Sequence, residues 1–242
     1  MLALVVFSIP YGVLVGSYFG VTPPAGSWLA SLHLLNTNDQ NLMMWLSVGI
    51  GAVHLTGANL VTAWRLRHAP NALGGLGWTA IILGGFSIGL GKTYAHLTAL
   101  TPVGWGGLVL GGLLVLLFTS ERPFSLMPRQ LFGRLVDGLK GASQLSKAFG
   151  DVLSYLRLFA LGLASFKLAE VSNQLAAASF ESRGLGVLLG VLVLLAGHTI
   201  NFVMGIMGGV VHSLRLNLIE FFSWSIPEEG QRFDALVKKA DN

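Results

Sequence analysis

Arginines, histidines, asparagines and glutamates sit inside two stretches otherwise rich in apolar residues, in a chain of 242 residues without cysteine. An arginine at the centre of a membrane helix costs about 2.5–3.5 kcal/mol on insertion scales, so one that is kept there faces a protein interior or a water-filled cavity. At about 100° per residue, Ser154, Arg157 and Ser165 fall within an arc of about 80°. Relative to Arg215, the positions of Gly208, Asn201, His212, Gly205 and His198 come at about 20°, 40°, 60°, 80° and 100°. The rest of that second segment is mostly Leu, Val, Ile, Met and Phe, so one polar strip runs along it beside glycines that leave room. Such strips can hold a fixed positive charge at membrane depth, and a histidine in one can relay protons. Lys167, Glu170 and Gln174 form a second cluster, with Lys167 and Glu170 three apart and placed to pair. His54, alone on its segment, reads as a packing residue. No His-x-x-x-His pair, carboxylate pair or Ser/His/Asp set points to hydrolysis or metal-assisted chemistry, and no cofactor is expected.

The elements that must position these residues are membrane helices. Of the 242 residues 53% are hydrophobic and only 11% charged, against roughly 25% charged in ordinary soluble domains. About 20 helical residues cross a bilayer core, and six stretches approach that length: 1–20, 42–64, 73–91, 103–119, 151–178 and 185–222. The fold expected is an all-α integral membrane bundle with the last two helices long and strongly tilted. Leu185 to Phe222 would extend about 57 Å at 1.5 Å per residue, well beyond a core roughly 30 Å thick. The organisation expected is four helices over 1–119, an amphipathic cytoplasmic connection over 120–150, the two long helices over 151–224, and a cytoplasmic tail over 225–242. The first stretch lacks the basic flank of a signal peptide; it begins at Met1, which suggests an element normally preceded by more protein.

Basic residues set the orientation. Ten of the fifteen lysines and arginines fall on one side of a six-span arrangement, in the loop holding Arg65 and Arg67, in the 120–150 connection and in the tail. Lys92 and Arg183 fall on the other, while Arg157, Lys167 and Arg215 lie within spans. Both termini are therefore expected in the cytoplasm. The net charge of +4 is distributed as membrane flanks, which argues against nucleic acid as a partner. Leu131, Leu135, Leu139 and Leu145 among basic residues suggest an interfacial amphipathic helix, or equally a solvated linker helix. Arg157 lies six positions inside Asp151, near enough for its stem to snorkel toward headgroups. "GLGKT" at 89–93 is no phosphate loop, because the glycine that motif needs five positions before its GK pair is Phe86. The 32 glycines suit close helix packing in a membrane.

The stretch "GDVLSYLRLFALGLA" resembles the "SDxLSYLRLxALGLA" hallmark of the seventh membrane helix of the V/A-type rotary ATPase stator subunit, subunit a or I. "GHTINFVMGIMGGVVHSLRLNLIEFF" resembles the eighth, "GHxxNxxxGxxGxxVHSLRLxxxEFF". Both motifs are long and specific; "IPYGVLVGSYFG" and "GAVHLTGANL" are weaker echoes of the third and fourth helices. The six spans would then correspond to helices three to eight, without the cytoplasmic arm and first two helices of a complete family member.

The resemblance implies an ion-translocating stator subunit that couples proton or sodium flow to rotation. Its implied partners are a rotor ring of carboxylate-bearing membrane subunits, the central and peripheral stalks and the lipid bilayer, with ATP chemistry carried by other subunits. Arg157 and Arg215 match the family's pair of arginines facing the ring, between two offset aqueous half-channels. Ser154, Ser165, His198, Asn201 and His212 become candidate half-channel lining, and Glu220 a cytoplasmic-side exit group. Two departures, Gly205 where eukaryotic relatives carry glutamate and Ser165 where they carry histidine, fit a prokaryotic member. A secondary transporter would show an internal repeat with matched broken helices, and no convincing six-span symmetry is visible. An inactive truncated remnant is the third alternative.

Overall fold

The computed structural model describes residues 39–226 except 121–127 and 183, and before them residues 6, 10, 12–16, 18–21, 23–24, 26–32 and 35. The apolar composition is resolved into helices: α1 (Gln40–Arg65), α2 (Ala72–Thr93), α3 (Leu100–Phe118), α4 (Pro128–Ala142), α5 (Gln144–Ser154), α6 (Leu156–Phe180) and a last rod, α7, starting at Leu185. Outside the helices, the described residues hold an isolated bridge between Tyr18 and Val21. Five helical segments among the described residues are long and apolar enough to cross a membrane. They overlap the second to sixth stretches expected from sequence; the first, 1–20, falls largely outside the described residues.

α1 starts where Asp39 accepts a hydrogen bond from the Leu42 backbone N–H at 3.0 Å, satisfying one of the donors a helix start leaves open. It then runs through the middle of the bundle. In its most apolar window 39% is buried, against 6% for α7, which separates a central post from a peripheral rod. Most of α7's surface is Leu, Val, Ile and Phe left uncovered by the chain, including Leu188, Leu195, Phe202 and Leu218. That much apolar surface is stable against lipid or other membrane subunits and not against water. The protein is an integral membrane helical bundle.

α2 and α3 pack backbone to backbone because glycines meet in reciprocal pairs. A Cβ on Gly84 would lie 2.7 Å from the Gly104 carbonyl oxygen, and one on Gly104 would lie 2.6 Å from that of Gly84. Gly77 and Gly111 repeat the arrangement seven residues away, at 2.9 and 2.6 Å. Without a hydrophobic drive between helices in lipid, such close approach supplies the dispersion contact that holds them together. α6 and α7 approach differently, with glycines of α7 receiving side chains of α6: Gly190 against Phe180, Gly197 against Ser172 and Gly208 against Leu161.

The amphipathic connection takes the form of α4 and α5 after the undescribed 121–127. Ser120 Oγ donates to Asp137 Oδ2 at 2.9 Å, and Gly138 lies directly on the Leu116 backbone, fixing α4 against the end of α3. Leu139 and Leu145 are exposed; the side chains of Leu131 and Leu135 fall outside the described ones.

One departure from regularity bears on the site. α7 is α-helical to Met207, π-helical over Gly208–His212, α-helical for Ser213–Arg215, π-helical again over Leu216–Phe221, and α-helical for Phe222–Ser225. The 100° period used to align the polar strip therefore holds only as far as Met207. Beyond that point i→i+5 bonding turns each side chain away from its α-helical azimuth.

Candidate functional site

The joint between α5 and α6 is the single residue Tyr155, which keeps near-helical dihedrals of φ −72° and ψ −18°. It is 1% exposed, in a core shared with Ala52, Leu55, Ile82 and Leu216. Its ring fits against Gly51 of α1, where a Cβ would come within 2.7 Å of Tyr155 Cγ. Its hydroxyl shares a hydrogen bond with His54 Nδ1 at 2.6 Å. A buried tyrosine needs such a partner for its polar end.

The joint sets Ser154 and Arg157 against the π-helical part of α7. Ser154 Oγ donates to Glu220 Oε1 at 2.6 Å, and Arg157 Nη2 donates to Ser154 Oγ at 3.2 Å. From the other side, Arg215 Nε lies 3.9 Å from the same Glu220 oxygen. Two guanidinium groups, one directly and one through a hydroxyl, thus converge on one carboxylate. Glu220 is 2% exposed, whereas the Arg215 side chain is 53% exposed. Among the described residues, Arg157 Nη1 and Glu220 Oε2 are buried without a hydrogen bond. Two positive charges face Glu220, and the Asp151 carboxylate also lies within electrostatic reach of it.

The remaining expected residues gather elsewhere along α6 and α7. Ser165 Oγ donates to Asn201 Oδ1. His198 Nε2 hydrogen-bonds Asn173 Oδ1 at 3.1 Å, while Asn173 Nδ2 donates to the Phe19 carbonyl at 2.7 Å. The Phe19 ring meets His198 edge-on at 5.7 Å. His212 is half-buried in the first π segment, between the two groups along α7. Lys167 and Glu170 pair at 2.8 Å on the exposed side of α6.

A clamp that sequence reasoning did not single out closes the end of α7. Trp224 Nε1 donates to Asp151 Oδ2 at 2.7 Å, its ring meets Trp78 at 5.2 Å, and Lys147 Nζ lies 5.3 Å from its centroid. Thr62 and Arg65 of α1 donate to the carbonyls of Trp224 and Ser225 at 2.6 and 2.8 Å. Those carbonyls are among the groups a helix end leaves unsatisfied. Tyr155, Asn173 and Trp224 were likewise missed, since their roles depend on partners more than twenty positions away.

Two cavities flank α1. One of about 710 Å³ is bordered by Trp45, His54, Phe86, Tyr155, Ser213 and Asn217, and so touches both halves of the arginine cluster's support. The other, about 780 Å³, is lined almost wholly by apolar side chains such as Trp45, Phe86 and Phe149 and has no part in the polar network. Among the described residues no group of three His, Cys, Asp or Glu side chains is gathered for a metal ion.

No family model and no solved structure matches the chain. Among curated proteins it is similar to the V-type ATP synthase subunit I of Chlamydia trachomatis, 32% identical over 201 residues, covering 82% of this chain and 28% of that one. It is 30% identical over 204 residues to the A-type ATP synthase subunit I of Methanocaldococcus jannaschii, covering 81% and 28%. The A-type ATP synthase subunit I of Pyrococcus horikoshii is 30% identical over 246 residues, 98% of this chain and 35% of that protein. The chain thus spans between 28% and 35% of the length of these relatives.

Proposed function

The chain belongs to the V/A-type ATP synthase subunit I family, and from that premise we propose that it is the ion-translocating stator subunit of a rotary ATPase. It guides protons or sodium ions past a rotor ring of membrane subunits, each bearing a carboxylate, while stalk and catalytic subunits carry rotation and ATP chemistry. It lies in a prokaryotic inner membrane with its basic loops in the cytoplasm.

The observation that carries this reading is the convergence of Arg157, through Ser154, and Arg215 on the buried Glu220. A ring carboxylate arriving beside two guanidinium groups is favoured in its ionised form and so gives up its ion there. The same positive charge opposes a cation leaking directly between the half-channels. Arginine suits the role because it stays charged at any working pH, where a buried lysine can lose its proton. The Arg215 side chain, 53% exposed, is open to the visiting acid, while Arg157 Nη1 is buried without a hydrogen bond among the described residues. Glu220 takes up or releases the ion on the cytoplasmic side. Ser165, Asn201, His198 and His212 line the half-channels.

The test is ATP-driven ion uptake by vesicles containing the whole complex with Arg157→Gln. Replacing a preorganised charge of this kind costs about a hundredfold or more, so uptake should vanish into background while the complex still assembles. Pumping that persists within a few-fold of the parent in an assembled complex would remove Arg157 from the ion path.

A further inference from the structure

Among the described residues around the arginine cluster, His54 touches both of the chain segments that bear it. On one side its Nδ1 shares the 2.6 Å hydrogen bond with the hydroxyl of Tyr155, the residue that follows Ser154. On the other its ring stacks on Phe221, with centroids 4.5 Å apart and planes at 18°, and Phe221 directly follows Glu220. The Ser154 to Glu220 hydrogen bond therefore joins the immediate chain neighbours of the two residues that His54 holds. α1, which carries His54, is the most buried of the membrane helices and offers a fixed reference for the two peripheral rods. The 710 Å³ cavity beside His54 leaves room on that flank, so the contacts of His54 add to the packing that already seats Tyr155 on α1.

We propose that His54 is a positioning residue for the ion path: it sets the register of α6 against α7 that brings Ser154 to Glu220 and so presents Arg157. The inference rests on the stator reading above. It assigns His54 no proton and no contact with the rotor, and it explains a polar side chain at a site where an aliphatic one would pack against the same neighbours. Tyr155 is the lever through which it acts on α6, and Phe221 the lever on α7.

The experiment compares ATP-driven ion uptake by the reconstituted complex for His54→Ala, Tyr155→Phe, Ser154→Ala and the double variant His54→Ala with Ser154→Ala, with subunit content measured in each. Losing the shared hydrogen bond should lower uptake about tenfold in His54→Ala and in Tyr155→Phe, with the complex still assembled. If His54 acts by seating Ser154, the double variant loses no more than the worse single one, because both remove the same link. His54→Asn, whose amide sits where Nδ1 does and offers the same hydrogen bond, should recover most of the uptake. Multiplied losses near a hundredfold in the double variant, no recovery with asparagine, or loss of assembly in step with uptake would each overturn the proposal. Arg157→Gln run in parallel separates two kinds of failure. If it abolishes uptake and His54→Ala does nothing, only the role of His54 is lost; if it too is silent, the stator reading itself fails.

Discussion

Replacing Gly104 by alanine should destabilise the bundle, whereas replacing Gly106 two positions along the same helix should not. The added Cβ at Gly104 would sit 2.6 Å from the Gly84 carbonyl oxygen, 2.6 Å from Ile88 Cγ1 and 2.9 Å from the Ile88 backbone nitrogen, while one at Gly106 would meet nothing within 4 Å. Ordinary contact begins at 3.4 Å, so α2 and α3 must part locally by about 0.8 Å, a gap that forfeits a quarter to a half of each dispersion contact it opens. Backbone cannot swing aside as a side chain can, and overpacking of this kind costs about 1–3 kcal/mol. Gly106→Ala should instead be neutral or gain up to about 1 kcal/mol from helix propensity. Thermal denaturation of the detergent-solubilised complex, followed by this subunit's loss of solubility, compares the two directly. Equal midpoints for the two variants would refute the claim that reciprocal glycines bring these backbones together.

Trp224→Phe removes the donor to Asp151 while keeping a ring near Trp78. Since a hydrogen bond to a charged group contributes about 1.5–3 kcal/mol and Asp151 is only half-buried, the loss should sit near the lower figure. Asp151→Asn, which keeps an acceptor, should cost less in the same denaturation assay; the reverse order would show that the clamp depends on charge and not on the indole donor. Lys167→Ala, which breaks an exposed three-apart pair, should change stability by no more than about 0.5 kcal/mol and leave ion uptake intact. A large loss of uptake there would place Lys167 in the ion path.

Much of the bundle was legible because lipid imposes a simple rule: an apolar stretch of the right length becomes a helix, and α1, α2 and α3 begin and end within a few residues of the stretches read from sequence. The Lys167 and Glu170 pair was legible too, since three-residue spacing alone places them side by side. What escaped were features set by chain-distant partners. Nothing near His54 announces Tyr155, 101 positions away, and an isolated histidine looked like simple packing. Trp224 gave no hint of Asp151, because a tryptophan near a membrane boundary commonly anchors to headgroups. The polar strip on α7 was read with one constant period. The structure uses that period through His198 and Asn201, which do meet α6, and leaves it before Arg215 and Glu220. No local propensity marks a π turn, so the azimuth of those last two residues had to be observed.

Each π turn winds one residue more than the α turn it replaces, so α7 stores surplus length on either side of Arg215 without spending it on a loop. Deleting a single residue within either π segment would let that turn close as an ordinary α turn with the downstream side chains near their present azimuth, whereas deleting one from the α-helical stretch before Gly208 would swing Glu220 and Trp224 by about 100°. The π segments should therefore accept a one-residue deletion far more readily than the α-helical stretch Leu185–Met207 does.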